Sequence, residues 1–215
     1  MAPVVIVGAG GHAKVIIGIL EEMRAWEIAG CTTAGGSGAE SPGCPVLGGD
    51  EVLPGLRASG IRHAFVAIGD NRVRRLISEE VRRAGFTLIN AISPRAVISP
   101  SVQLGHGVAV MAGAVIQVAA VLGDGAIVNT GATVDHDCHV GPYAHIAPGV
   151  NLAGRVEVGE GAFLGIGSCV IPGIRIGAWA VVGAGAAVIE DVPEGVTVVG
   201  VPARVTVRRT PAARP

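Results

Sequence analysis

At 215 residues the chain has room for one large domain or two modest ones. Apolar residues make up 50% of it but aromatics only 3%, which argues against a broad core bulked out with Phe, Tyr and Trp. With 16 basic and 17 acidic residues the formal net charge is −1; no field for nucleic acid results, and none is expected as a partner.

Val4 to Val7 reads as a buried strand, followed by the glycine-rich turn Gly8-Ala9-Gly10-Gly11-His12. No basic residue precedes that strand, so no export signal is predicted. Apolar residues at helical spacing (Val15, Ile16, Ile19, Leu20, Met23) predict a helix over Ala13 to Arg24. Ile28 to Thr32 reads as a second strand, Thr33 to Gly43 as a loop, and Asp50 to Ser59 as a short helix. Ala64 to Ile68 is a third strand, Arg72 to Ala84 a helix, and Thr87 to Asn90 a fourth strand. Alternation of this kind predicts a small parallel α/β domain with a Rossmann-like sheet over residues 1–90. Its ligands belong at the carboxyl ends of the strands, where the sequence places Gly10, Gly11, His12, Thr32, Thr33, Gly69 and Asn71. Gly8 to Ala13 fits a G-x-G-x-x-A fingerprint, whose helix N-terminus favours a phosphate. The acidic residue that usually ends the second strand is missing. Arg72, Arg74, Arg75, Arg82 and Arg83 cluster on one helix and read as a solvated face, with contact to a phosphorylated ligand or partner subunit as the alternative.

From Ile92 to Val188 every sixth residue is aliphatic. From Ala96 onward a small or β-branched residue sits two places before each. Period 2 within a unit means a strand, and period 6 between units means a strand that bends at fixed intervals. The pattern predicts a parallel β-helix over residues 91–190, its three faces of six residues giving a coil of 18. Ala96 to Gly123 contains no Asp, Glu, Lys or Arg, but its period is six and Pro, Gln and Gly interrupt it, so no membrane span is expected. Residues 191–215 leave the rhythm; they, or a partner subunit, are expected to cap the open end, with the final residues disordered. The four cysteines form no CxxC and fit buried thiols in a reducing compartment.

Four histidines fall in the repeat, and His106 and His139 read as turn residues. His136 lies between Asp135 and Asp137. A neighbouring carboxylate stabilises the imidazolium and raises basicity, which suits a general base. Gly154 lies one coil further on and would stack on His136, its backbone N–H available to polarise a carbonyl. A zinc site built from His136, His139 and His145 is the other functional reading. The three occupy different places on their faces and should not converge within one chain, so no metal is expected.

The pairing of VVIVGAGGHAKVI with NTGATVDHDCHVGPYAHIAPGVNLAG and the terminal VVGVPARV resembles the bacterial nucleotide-sugar acyltransferases of the sialic-acid O-acetyltransferase type. That resemblance implies a left-handed coil, against the usual right-handed crossover, and a homotrimer with active sites between subunits. It implies His136 as general base and Asp137 as the residue that increases its basicity. His145 would lie near the thioester of acetyl-CoA, Gly154 against its carbonyl, and Ile166 and Ala184 along the pantetheine arm. Gly10, Gly11 and His12 would hold the sugar nucleotide, with Asn129 close to the acceptor. Cys31-Thr32-Thr33 replaces an acidic pair that many relatives use, which leaves the nucleobase open. The expected activity is acetyl transfer from acetyl-CoA to the amino group of a nucleotide-linked 4-amino-deoxysugar, in the cytoplasm. O-acetylation of a sugar hydroxyl, a non-catalytic sugar-nucleotide-binding solenoid and zinc-dependent hydration are the alternatives.

Overall fold

The computed structural model describes residues 1–33 and 43–206. The expected disorder of the last residues, and most of the loop expected after Thr33, lie outside the described residues.

The N-terminal part is built from β1 (Ala2–Val7), α1 (Gly11–Met23), β2 (Trp26–Thr32), β3 (Val46–Gly48), a 3₁₀ turn (Asp50–Val52), α2 (Leu53–Ala58), β4 (His63–Val66), α3 (Asn71–Arg83) and β5 (Thr87–Leu88). The strands form one sheet in the order β3-β2-β1-β4-β5, all parallel. Val4 and Ile6 face α1, while Val5 and Val7 face α2 and α3, so β1 is buried on both sides. That explains its uninterrupted aliphatic run. The three-residue β3 was not anticipated; it is too short to show a period.

The rest is a left-handed parallel β-helix of two-residue strands. Three sheets run along it, and each strand pairs with the one eighteen residues on, as Thr133 does with Asn151. In each pair the second residue points inward: Ile116, Leu122, Val134, Val140 and Leu152 are all nearly or fully buried. The residue two places earlier also faces in, as do Ala114, Ala120, Ala132 and Cys138. The interior is therefore aliphatic and narrow, which accounts for the missing aromatics. Left-handed backbone at the corners falls on glycine at most coils, and on Asp137 (φ 58°) at the corner that matters below. Asp tolerates that conformation better than most residues.

The α/β domain docks on one face of the coil, whose strands run from Ala91–Ile92 through Ala109–Val110, Ile127–Val128, His145–Ile146 and Phe163–Leu164 to Val181–Val182. On this face the outward residues Ala109 and Ile127 are buried too, packed with Ile16, Leu20 and Met111. The second face runs from Val97–Ile98 to Ala187–Val188, and the third from Gln103–Leu104 to Arg175–Ile176. On the third face His139, Glu157 and Arg175 are exposed. Ion pairs Arg95–Glu22, Arg82–Asp124 and Arg75–Glu160 (2.7, 2.7 and 2.8 Å) rim the docking interface.

Beneath that rim lies Arg74. Far from being solvated, it is 1% exposed. Its guanidinium donates to the carbonyls of Gly125, Ile68, Gly69 and Tyr143 and to Asn71 Oδ1, all at 2.8–3.0 Å. The reading of the arginine cluster as a solvated face thus fails at Arg74, because α3 turns that side toward the coil. Past Val188 the chain packs Val192 and Val198 into the solenoid core. A strand at Thr197–Val199 then extends the docked face, and Arg204–Val205 pairs with it antiparallel. No helix among the described residues is long and apolar enough to cross a membrane.

Candidate active site

Three groups of residues are positioned by this framework. The first is a cavity of about 510 Å³ at the carboxyl edge of the small sheet, lined by Gly8 to His12, Thr33, Asp50, Ile68, Gly69, Val73 and Ile77 among others. Gly8 adopts φ +114°, and a Cβ there would lie 2.8 Å from the Ala67 carbonyl oxygen. Glycine is required for the turn to pass β4. A Cβ at Gly10 or Gly11 would meet nothing within 4 Å, so the first turn of α1 opens onto free space. Its N-cap is Gly10 with no side chain to satisfy the leading N–H groups, which suits a bound phosphate. Thr33 and Gly69 border this cavity. Thr32, expected to touch the ligand, is fully buried and gives its hydroxyl to Asp50 Oδ1 at 2.6 Å. Asn71 is also committed elsewhere: its amide donates to the Gly161 and Ala162 carbonyls at 3.0 and 3.2 Å. The neighbouring Asp70 caps α3 through the Arg72 and Val73 amides.

His12 lines this cavity, and His145 lies close enough to His12 and the Gly69 backbone to be influenced by both. His145 Nε2 lies 3.1 Å from Asn129 Nδ2, and its ring meets Phe163 edge-on at 5.3 Å. His12 Nε2 and His145 Nδ1 are buried without a hydrogen-bond partner. Burial, then the charge of Arg74, pushes His12 down to about 4. Burial, then Arg74 and His12, pushes His145 down to about 3; the Gly69 backbone pulls weakly the other way without forming a full hydrogen bond. Both rings are therefore neutral at pH 7, ready to accept or donate one proton each at a polar ligand. Because the unfolded chain takes up protons near 6.5 and the folded one does not, stability is expected to fall as pH drops below 6.5 toward 4 and 3. The loss from pH 7.5 to 5 amounts to roughly 1–2 kcal/mol per histidine. Chemical denaturation at the two pH values checks this, and a His145→Gln variant should show a shallower slope.

The second group follows the corner between the docked and second faces. Asn129 is succeeded one coil at a time by Ala147, Gly165 and Gly183, with the exposed Ile166 and Ala184 beside the last two. The Gly185 amide donates to the Ile166 carbonyl at 2.8 Å, so the two positions stack as an exposed rail.

The third group occupies the corner between the second and third faces, the one corner that does not touch the docked face. Here His136 Nδ1 lies 2.8 Å from Asp137 Oδ2. The left-handed turn at Asp137 brings its carboxylate back to the preceding ring. Asp135 Oδ1 accepts from the His136 amide at 2.7 Å. Next to the ring, Gly154 is buried, and a methyl group on it would overlap the imidazole. The Arg155 amide bonds to the His136 carbonyl at 2.9 Å, which fixes the stacking. Held at Nδ1 by a carboxylate, the ring presents Nε2 as a proton acceptor beside a bare stretch of backbone. Gly154→Ala is expected to displace the ring and cut turnover by about 10²-fold with little change in thermal stability; unchanged kcat would show that the ring needs no room there.

Within one chain, then, the glycine-loop cavity and His12 belong to the α/β domain, while His145, Asn129, Ile166 and Ala184 follow the docked face and its edge. His136, Asp137 and Gly154 stand apart from them. Among the described residues no three His, Cys, Asp or Glu side chains are grouped to hold a metal ion. Asp50 is the residue that sequence reasoning missed. Its signal is the Gly48-Gly49-Asp50 run, read there only as the start of a helix.

Residues 3–81 match the family profile described as the PglD N-terminal domain. PerB from Caulobacter crescentus, solved with CoA and GDP-perosamine, is 50% identical, with 96% of this chain and 98% of that chain covered at a TM-score of 0.92. The acetyltransferase domain of PglB from Neisseria gonorrhoeae is 37% identical, with 96% and 100% covered at a TM-score of 0.89. An uncharacterised protein L142 of Acanthamoeba polyphaga mimivirus is 35% identical over 104 residues. That match spans 48% of this chain and only 20% of the viral protein.

Proposed function

The chain belongs to the bacterial hexapeptide-repeat acetyltransferases of nucleotide-linked amino sugars, and from that premise we propose that it acetylates a GDP-linked amino sugar of the perosamine kind. Acetyl-CoA is the acyl donor. The observation that carries the reading is the 50% identity, over 96% of the chain, to an enzyme solved with CoA and GDP-perosamine.

The nucleotide lies in the cavity above the small sheet, its diphosphate at Gly10, Gly11 and the N-terminus of α1. The amino sugar extends toward His12, His145 and Asn129, whose neutral imidazoles and amide offer uncharged contacts to sugar hydroxyls. Ile166 and Ala184 form the rail along which the pantetheine arm lies. Since His136 and Gly154 occupy a different corner, the reaction centre closes only when the corner of a second copy meets this rail, and a cyclic homotrimer satisfies that requirement with three equal sites. In the assembled site the sugar amine attacks the thioester carbonyl. A C–N bond forms, the C–S bond breaks, and the amine proton passes to His136 Nε2 and then to the departing CoA thiolate. Asp137 holds the ring in the tautomer that leaves Nε2 free, and the Gly154 backbone stands where the carbonyl oxygen gathers charge. Fixing both substrates in one groove supplies much of the acceleration. Sugar nucleotides and acetyl-CoA are cytoplasmic metabolites, and we place the protein there.

Offering GDP-, UDP- and dTDP-linked amino sugars with acetyl-CoA, and following thiol release, tests the reading. Release with the GDP sugar and an N-acetylated product are expected. No release with any of the three overturns it.

A further inference from the structure

In doubly wound sheets that bind nucleotides, an acidic residue at the end of the second strand hydrogen-bonds the ribose hydroxyls. Here β2 ends in Cys31-Thr32 and is followed by Thr33, with no acid in place. The fold restores one from elsewhere. β3 pairs with β2 with a break in register between Cys31 and Thr32. The chain then turns through Gly48 (φ +138°) and Gly49, which sets Asp50 beside the end of β2. Thr32, itself fully buried, clamps Asp50 Oδ1 at 2.6 Å. Among the described residues that is the only hydrogen bond to the Asp50 side chain, and it uses Oδ1.

Asp50 is also the one acidic side chain lining the glycine-loop cavity among the described residues. A carboxylate repels a diphosphate but accepts two hydroxyls well. The cavity therefore has a direction: phosphates at the open N-terminus of α1, ribose at Asp50. Ile68, Val73 and Ile77 give the same cavity an apolar side.

We propose that Asp50, tethered by Thr32, binds the 2′ and 3′ hydroxyls of the nucleotide and makes the protein selective for nucleotides that carry both over their 2′,3′-dideoxy forms. This rests on the reading that the cavity holds the nucleotide, and it concerns the ribose, whichever base is attached.

The test is calorimetric titration of GDP and of 2′,3′-dideoxy-GDP against the full-length protein, Asp50→Ala and Asp50→Asn. The wild type should bind GDP about 10- to 100-fold more tightly than the dideoxy analogue, as expected for losing hydrogen bonds to a charged group. In Asp50→Ala, GDP should weaken to the level of the analogue, while the analogue itself changes by less than about threefold. That last measurement also reports that the variant is folded. Asp50→Asn keeps an acceptor for Thr32 and should fall between the two. Equal binding of the two nucleotides by the wild type, or a preference that survives in Asp50→Ala, overturns the assignment. Acetyl transfer that proceeds while loss of the two ribose hydroxyls costs nothing removes this inference and leaves the acetyltransferase reading standing. Failure of GDP to bind, together with absent acetyl transfer, removes both.

Discussion

His136→Ala lowers acetyl transfer by about 10²- to 10⁴-fold, the range expected when a positioned general base is lost. The ring is held at Nδ1 by Asp137 at 2.8 Å and flanked by Gly154, so its removal leaves a gap at a half-exposed corner and disturbs no core residue. Little change in Tm is therefore expected. The glycine-loop cavity lies at the edge of the small sheet and not at this corner, so the KM for the sugar nucleotide should stay within about threefold of wild type while kcat carries the loss. Steady-state kinetics with saturating acetyl-CoA separate the two. Near-normal kcat in His136→Ala would remove this residue from the mechanism and, with it, the need for a second copy to complete the site.

Arg74→Met is expected to destabilise the protein by about 3–5 kcal/mol. Arg74 reaches across from α3 to carbonyls on the coil at Gly125 and Tyr143 while holding those of Ile68 and Gly69 in its own domain. Burial lowers its pKa only to about 10, so it stays charged at neutral pH, and each bond is charge-assisted. Methionine fills much of the volume but leaves those carbonyls without a donor. Lysine cannot restore them, since an ammonium has three donors and no planar fork. A Tm lowered by about 6–15 °C, read by calorimetry, is the expected outcome; a change under about 1 °C would show that water replaces the guanidinium without cost. Because the charge of Arg74 helps hold His12 and His145 neutral, the same variant should also show a weaker dependence of stability on pH below 6.5.

What could be read directly from the order of residues was whatever repeats or is local. A six-residue beat forces each aliphatic inward and each coil to stack on the last, so the pairing of His136 with Gly154 follows from counting eighteen positions. The glycine turn after Val7 and the helix behind it are likewise local, since a strand buried on both faces and a turn needing φ > 0 leave plain marks. The edge positions Ile166 and Ala184 came from resemblance, and the coil's period explains why they stack. Tertiary packing decided the rest. Nothing in a periodic pattern says which of three similar faces the α/β domain covers. That choice sinks Arg74 into the interface, strips two histidines of water, and leaves His136 on the far corner. Asp50 arrives beside Thr32 only because a three-residue strand docks on β2, a contact too short to leave a period. Repetition fixes neighbours along a coil, whereas contacts between segments far apart in the chain depend on shapes that exist only once the pieces have packed.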